Sequence, residues 1–253
     1  MQRRSQRSDG ESRVMDDSPR YRPLYRQVYD FLVKQIAEGD WRPGEMLPSE
    51  QALAAKLRVS QGTVRKALDT LATDKLIERR QGKGTYVVEQ TQELSLFRFF
   101  RLASPGGQRA IPTSAAEIVK RRVAKPADIQ QLHLDPGAPI LEIRRTRLIE
   151  GRPVCWERIV IPLKMFPNLD RHHPMPNALY ALYQREYGVN IASADEELSA
   201  DLARGEDVRR IGVSAGAPIL QISRIAVALN GSRAEWRVSR CDTRTFIYSV
   251  QLS

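Results

Sequence analysis

A chain of 253 residues is long enough for about two ordinary domains, each able to bury its own core. The formal net charge of +10 suits a polyanionic partner but does not by itself separate nucleic acid from an anionic membrane surface. No apolar run approaches the roughly 18 residues that span a bilayer, and two cysteines without a signal-peptide pattern argue against a disulfide framework, so a cytoplasmic protein is expected.

Residues 1–20 hold Arg3, Arg4, Arg7 and several serines with interleaved acids and almost nothing apolar, which reads as a disordered, solvated tail. From Pro23, which suits a first helical turn, Leu24, Val28, Leu32 and Ile36 recur every fourth residue until Gly39 stops the helix. A turn-rich connector follows, in which Trp41 and Leu47 are expected to seal a small core. Ser49 can cap a second helix with Leu53 and Leu57 on one face. Ser60 can cap a third, running to about Asp74, whose Val64, Ala67, Leu68 and Leu71 point inward. Its opposite face carries Gln61, Thr63, Arg65 and Lys66, residue types that reach base edges and phosphates. Residues 75–80 and 85–89 then flank Gln81-Gly82-Lys83-Gly84, a hairpin tip with a cation at its end and Arg79 and Arg80 at its root. Helix, turn, helix and glycine-tipped hairpin make a winged helix-turn-helix. Residues 51–88 carry eight Lys and Arg against three acids, about half of the excess charge of the chain.

Residues 91–108 read as a linker with an apolar insert, Leu94, Leu96, Phe97, Phe99, Phe100 and Leu102, before Ser104-Pro105-Gly106-Gly107. The organisation is therefore a tail (1–20), a DNA-binding domain (21–90), a linker (91–108) and a second domain (109–253). The second domain contains a duplication. Asp128-Ile129-Gln130-Gln131-Leu132 and Gly137-Ala138-Pro139-Ile140-Leu141 recur as Asp207-Val208-Arg209-Arg210-Ile211 and Gly216-Ala217-Pro218-Ile219-Leu220, 79 residues later. Each copy continues as a strand, a turn at Glu150-Gly151 or Asn230-Gly231, and a returning strand holding Trp156 or Trp236. The two hairpins with residues 115–123, 190–201 and 243–252 predict one antiparallel sheet, and residues 177–187 predict a helix between the copies. The fold class is α+β.

Residues 23–89, with Leu47-Pro48-Ser49-Glu50, Val59-Ser60, Thr63-Val64-Arg65, Ala67-Leu68 and Gly84-Thr85-Tyr86-Val87, resemble the reader of the GntR family of bacterial transcription regulators. Residues from about 94 to 253, with Glu150-Gly151-Arg152-Pro153, Trp156-Glu157, Ile161-Pro162, Tyr180, Leu182-Tyr183, and Arg240 with Asp242, resemble the UTRA effector domain of its HutC-type subfamily. The resemblance implies a chorismate-lyase-like second domain, a homodimer, and repression of an operator that a small molecule relieves or alters. It places the DNA contacts on Ser60, Thr63, Arg65, Gly82, Lys83 and Gly84. Gln51 and Gln61 stand where many relatives have arginine. Glutamine pairs best with adenine N6 and N7, whereas arginine forks onto guanine, so an operator richer in A·T opposite Gln61 is expected.

For the effector, the resemblance points to Arg145, Arg147 and Glu157, with Arg244 and Tyr248 on the last strand. Strand alternation puts Arg145 and Arg147 on one face, and paired guanidinium groups favour a carboxylate or phosphate. Without the resemblance, cross-strand ion pairs such as Arg147 with Glu157 on a solvated face account for the same residues. His133, His172 and His173 lack the spacing of a metal site, and no nucleophile elbow, phosphate loop or dinucleotide pattern occurs, so no metal or other cofactor is expected. Two rival classes remain open: a lyase-like enzyme anchored to DNA, and an architectural DNA-binding protein without effector. Cys155 and Cys241 are read as free buried thiols; a redox switch requires that the hairpins bring them together.

Overall fold

The structure, a computed structural model, describes residues 22–106 and 111–250. The expected tail over residues 1–20, Gly107 at the end of the linker, and the side chain of Phe97 lie outside the described residues.

The first domain is built on three helices. α1 (Leu24–Glu38) buries Val28, Leu32 and Ile36 and ends at Gly39, whose φ of 84° lies in the left-handed region that favours glycine. Leu24 does not join the buried stripe: Pro23 immediately precedes the helix, and Leu24 in the first turn overhangs the core at 48% exposure. α2 (Glu50–Leu57) starts where Ser49 Oγ accepts from Ala52 N at 3.2 Å, and α3 (Gln61–Thr73) where Ser60 Oγ accepts from Thr63 N at 3.2 Å. Each such cap contributes about 1 kcal/mol. Trp41, Leu47, Leu53, Val64, Ala67, Leu68 and Leu71 join the α1 stripe in one core. β1 (Ile77–Arg80) and β2 (Gly84–Val87) pair with Arg80 opposite Gly84, which leaves residues 81–83 as the tip and makes the arms shorter than the expected ones.

The segment read as a linker is largely ordered. Thr91 caps α4 (Gln92–Phe99), accepting from Leu94 N at 3.2 Å, and β3 (Leu102–Ala103) follows. The second domain is a six-stranded antiparallel sheet. It contains β4 (Thr113–Val123), β5 (Pro139–Ile149), β6 (Arg152–Pro162), β7 (Ile191–Leu202), β8 (Pro218–Ala228) and β9 (Arg233–Cys241), in the order β4-β5-β6-β9-β8-β7. The duplicated hairpins are β5–β6 and β8–β9. They meet at the centre through β6 and β9, and each follows a short helix, α5 (Pro126–Leu132) or α7 (Glu206–Ile211). α6 (Leu179–Tyr187) covers one face, packing Leu179, Leu182 and Tyr183 against Ile143, Ile159 and Phe166.

The C-terminal segment corrects one expectation. Asp242 N donates to Val154 O at 2.9 Å, and Asp242 Oδ1 then accepts from Arg244 N at 3.1 Å in a bend that carries the chain off the sheet. β10 (Ile247–Tyr248) accordingly pairs with β3 rather than with the six strands. The two domains also touch: Gln184 of α6 donates to Val88 O at 3.1 Å and accepts from Gln90 N at 2.6 Å.

Candidate functional site

The surface of the first domain that carries the expected DNA contacts is organised by a residue that sequence reasoning passed over. Gln51, Ser60, Gln61, Arg65 and Lys66 are exposed and Thr63 is half-buried. Glu50, in the first turn of α2, accepts from Arg65 Nε at 3.0 Å and Nη2 at 2.9 Å, from Gln61 Nε2 at 3.3 Å and from Arg79 Nη2 at 3.4 Å. The hydrogen bond from Arg65 holds the Glu50 carboxyl below its ordinary range. One carboxylate thus aims three donors from two other elements. Glu50 has no periodic relation to Gln61 or Arg65, and only the packing of α2 on α3 brings them together. Lys66 Nζ lies 4.2 Å from the centre of the Tyr25 ring. At the tip, Gly82, Lys83 and Gly84 are exposed, and Tyr86 donates to Lys83 O at 3.2 Å. Gly84 has φ 121°, and a Cβ there would meet Met46 Sδ at 3.0 Å, so this turn admits glycine alone.

In the second domain a small cavity, partly open to solvent, lies between the sheet, α4 and α6. Among the described residues Arg101, Arg145, Arg147, Arg224, Arg237 and Glu157 supply its charges. Arg145, Arg147 and Glu157 are 1–2% exposed. Cross-strand register puts Arg145 opposite Glu157, and Arg145 Nε donates to Glu157 Oε2 at 2.8 Å. Arg237 Nη1 donates to the other Glu157 oxygen at 3.1 Å, and its Nε donates to Glu235 Oε1 at 2.8 Å. Tyr180 and Tyr183 of α6 donate to Glu235 at 3.2 and 2.7 Å. Arg224 is held by Glu196 at 2.5 Å and donates to the backbone oxygen of Phe99 at the end of α4.

Two expectations change here. The ion pair expected between Arg147 and Glu157 is a 3.9 Å contact, because register places Arg147 opposite Cys155 instead. Arg147 Nη1 donates to Asn177 Oδ1 at 2.8 Å and to Ser114 Oγ, while its Nε is buried without a hydrogen-bond partner. Arg244 is absent from the lining; it is exposed and forks onto Asp242 at 2.8–3.1 Å, inside the bend that leads off the sheet. Tyr248 lines the cavity and donates to Glu196.

Electrostatics follow from this crowding. Burial would raise the Glu157 carboxyl, but the charges of Arg237, Arg145 and Arg147 outweigh it and hold it well below the usual range. Burial, and then the charge of Arg145, pull Arg147 down to about 9, still cationic at neutral pH. Burial and the Glu235 charge raise the Tyr180 and Tyr183 hydroxyls. Arg224 and Arg237 were missed from the sequence, although the duplication marks both. Arg224 follows Arg145 by the same 79 residues, and Arg237 takes the place of Glu157 beside the second tryptophan.

A winged helix-turn-helix joined to a sheet domain with a charged cavity is the architecture of a DNA-binding transcription regulator. The family models bear this out: that of bacterial regulatory proteins, gntR family, matches residues 24–87, and that of the UTRA domain matches residues 110–246. The chain belongs to the GntR family, in the branch that carries a UTRA domain. It is 31% identical to the mannosyl-D-glycerate transport/metabolism system repressor MngR of Escherichia coli K12, over 79% of this chain and 84% of that protein. It is 29% identical to the transcriptional repressor NagR of Bacillus subtilis 168, over 89% and 94%. Among solved structures, the ligand-binding domain of a GntR-family regulator from Bordetella bronchiseptica superposes with a TM-score of 0.58 at 28% identity, covering 62% of this chain and 98% of that one. The relatives are regulators, not enzymes.

Proposed function

We propose that the chain is a cytoplasmic repressor that binds a pseudo-palindromic operator as a homodimer. Its DNA affinity changes when a small metabolite bearing a carboxylate or phosphate occupies the sheet-domain cavity. One observation carries the ligand half: five arginines and one glutamate line the cavity among the described residues, with Arg147 Nε buried without a hydrogen-bond partner. Guanidinium forks recognise carboxylate and phosphate oxygens in pairs, and an anion here relieves the mutual repulsion of the arginines. The relative named for mannosyl-D-glycerate supports the same ligand class.

On DNA, a two-fold protein reads two half-sites one or more helical turns apart. Gln61, Thr63 and Arg65 enter the major groove, with Gln51, Ser60 and Lys66 beside them. Gly82, Lys83 and Gly84 approach the adjacent minor groove or backbone. Glutamine at 51 and 61 favours A·T over the family's guanine contacts. Coupling passes through α4: Ser95, Leu96 and Phe99 face the cavity, Arg224 holds the Phe99 carbonyl, and the helix begins just beyond the wing.

The test is a thermal-shift panel of sugar carboxylates and sugar phosphates, followed by band shifts on a duplex selected from a random pool. A compound of the panel is expected to stabilise the wild type, to lose that effect in Arg147→Met, and to change operator affinity. Equal stabilisation of Arg147→Met overturns the cavity assignment. A selection returning the family's guanine-containing core overturns the role of Gln61. Alanine at Phe99 and Phe100 is expected to uncouple ligand from DNA while both still bind.

A further inference from the structure

The two cysteines of the chain are Cys155 on β6 and Cys241 on β9, and they stand directly opposite each other at the end of the central ladder. The backbone bond from Asp242 N to Val154 O, one residue beyond each, makes theirs a non-hydrogen-bonded pair. In such a pair the Cα atoms lie about 4.5 Å apart with the side chains close together, inside the span a disulfide bridges. Both thiols are free, 1% exposed and in hydrogen-bond contact, and both line the cavity. On its other side Cys155 faces Arg147 across the β5–β6 ladder, the residue whose Nε is buried without a hydrogen-bond partner. The Cys241 thiol is pushed up by its hydrogen bond with Cys155 and by burial. Cys155, between Cys241 and Arg147 on the two neighbouring strands, is placed as the attacking thiol and Cys241 as the resolving one.

We propose that Cys155 and Cys241 are a redox site: hydroperoxides that enter the cavity convert them to a reversible disulfide, and the bridged cavity holds anions less tightly than the reduced one. The Cys155 sulfur attacks the O–O bond, forming an S–O bond as the O–O bond breaks, and the proton of Cys155 leaves with the other oxygen as water or an alcohol. The Cys241 sulfur then attacks the Cys155 sulfur. The S–S bond forms, the S–O bond breaks, and the hydroxide leaves as water with the Cys241 proton. Two electrons pass from the thiols to the peroxide, and a dithiol reductant reverses the step. The bridge brings the two sulfurs to bonding distance and locks the end of the β6–β9 ladder beside Arg147. Leu102 of β3 and Tyr248 of β10 pack on the same pair, so the constraint also reaches the segment joining the domains. The second half of the proposal rests on reading the cavity as an anion site.

The experiment uses the full chain, reduced and then treated with hydrogen peroxide. Expected is the loss of the mass of two hydrogens and of both alkylatable thiols, migration as a single chain on a non-reducing gel, and full return with dithiothreitol. Addition of oxygen to either sulfur without bridging, cross-linking between chains, or thiols that survive peroxide able to oxidise glutathione would overturn the redox site. Inorganic phosphate is then titrated into both forms by calorimetry, with at least about fivefold weaker binding expected after oxidation. Equal binding to both forms overturns the gating and leaves the anion site standing. Binding to neither overturns the gating and the anion site together, while mass alone decides the bridge.

Discussion

The reader and the sheet domain use the same pairing of arginine and glutamate in opposite ways. On the reader, Arg65 and Arg79 converge on Glu50 with side chains 57% and 43% exposed. In the cavity, Arg145 and Arg147 surround Glu157 with side chains 1–3% exposed. Exposed pairs contribute little to stability and exchange readily, so Glu50 holds Arg65 in place at little cost to releasing it, as the proposed contact with a phosphate or base edge requires. A buried cluster has no water to fall back on. It is assembled by the fold itself, and in the proposed anion site its fixed geometry would supply the recognition.

The difference is most directly broken at Glu157. Glu157→Gln leaves Arg145 and Arg237 without their shared carboxylate, and a loss of about 3–5 kcal/mol is expected in urea unfolding followed by the fluorescence of Trp156 and Trp236. Because the folded-state carboxyl of Glu157 is depressed, its contribution is complete above its unfolded value, about 4.3, and is lost as pH falls through the depressed one. The gap between wild type and Glu157→Gln therefore stays wide at neutral pH and closes in acid. A gap independent of pH, or a loss no larger than that of a surface pair, would remove the contrast between the two regions.

Arg65→Ala addresses the other side. Unfolding should barely change, since the Glu50 pair is exposed, whereas affinity for the selected operator falls on the order of tenfold to a hundredfold. Glu50→Gln sharpens the same point. It frees Arg65 without removing it, so affinity at low salt should hold while discrimination between operator and random duplex declines. Band shifts at two salt concentrations measure both.

The two regions also differed in how far they could be read from sequence. The reader is made of local signals: caps at Ser49 and Ser60, an inward stripe from Val64 to Leu71, and glycines at a tip. Each is set by neighbours within a few residues. The cavity depends on register and on chain reversal, which local signals do not fix. Arg147 faces Cys155 because of a shift in the β5–β6 ladder between Arg147 and Leu148, and Arg244 misses the site because the chain bends at Asp242. The order of α4 likewise comes from what it packs on, with the Phe99 ring 4.7 Å from that of Tyr180. The duplication was the exception, a long-range signal visible in sequence: its 79-residue offset relates Arg224 to Arg145, although neither Arg224 nor Arg237 was read from it.

The smallest effect tests whether a reader residue acts through the fold or through DNA. Ser60 was assigned to DNA contact, yet its hydroxyl accepts from Thr63 N at 3.2 Å and lies 2.8 Å from Thr63 Oγ1. Ser60→Ala removes the cap and any phosphate contact together, and should cost about 1 kcal/mol of stability. Ser60→Gly removes the same hydroxyl, but glycine is tolerated at this position at only a few tenths of a kcal/mol. If Ser60 serves α3 alone, the glycine variant regains both stability and operator affinity, because a correctly started helix aims Gln61 and Arg65 without help. If Ser60 also donates to a phosphate, the glycine variant regains stability while its affinity stays as low as that of the alanine variant. Parallel melting curves and band shifts on the two variants separate these outcomes.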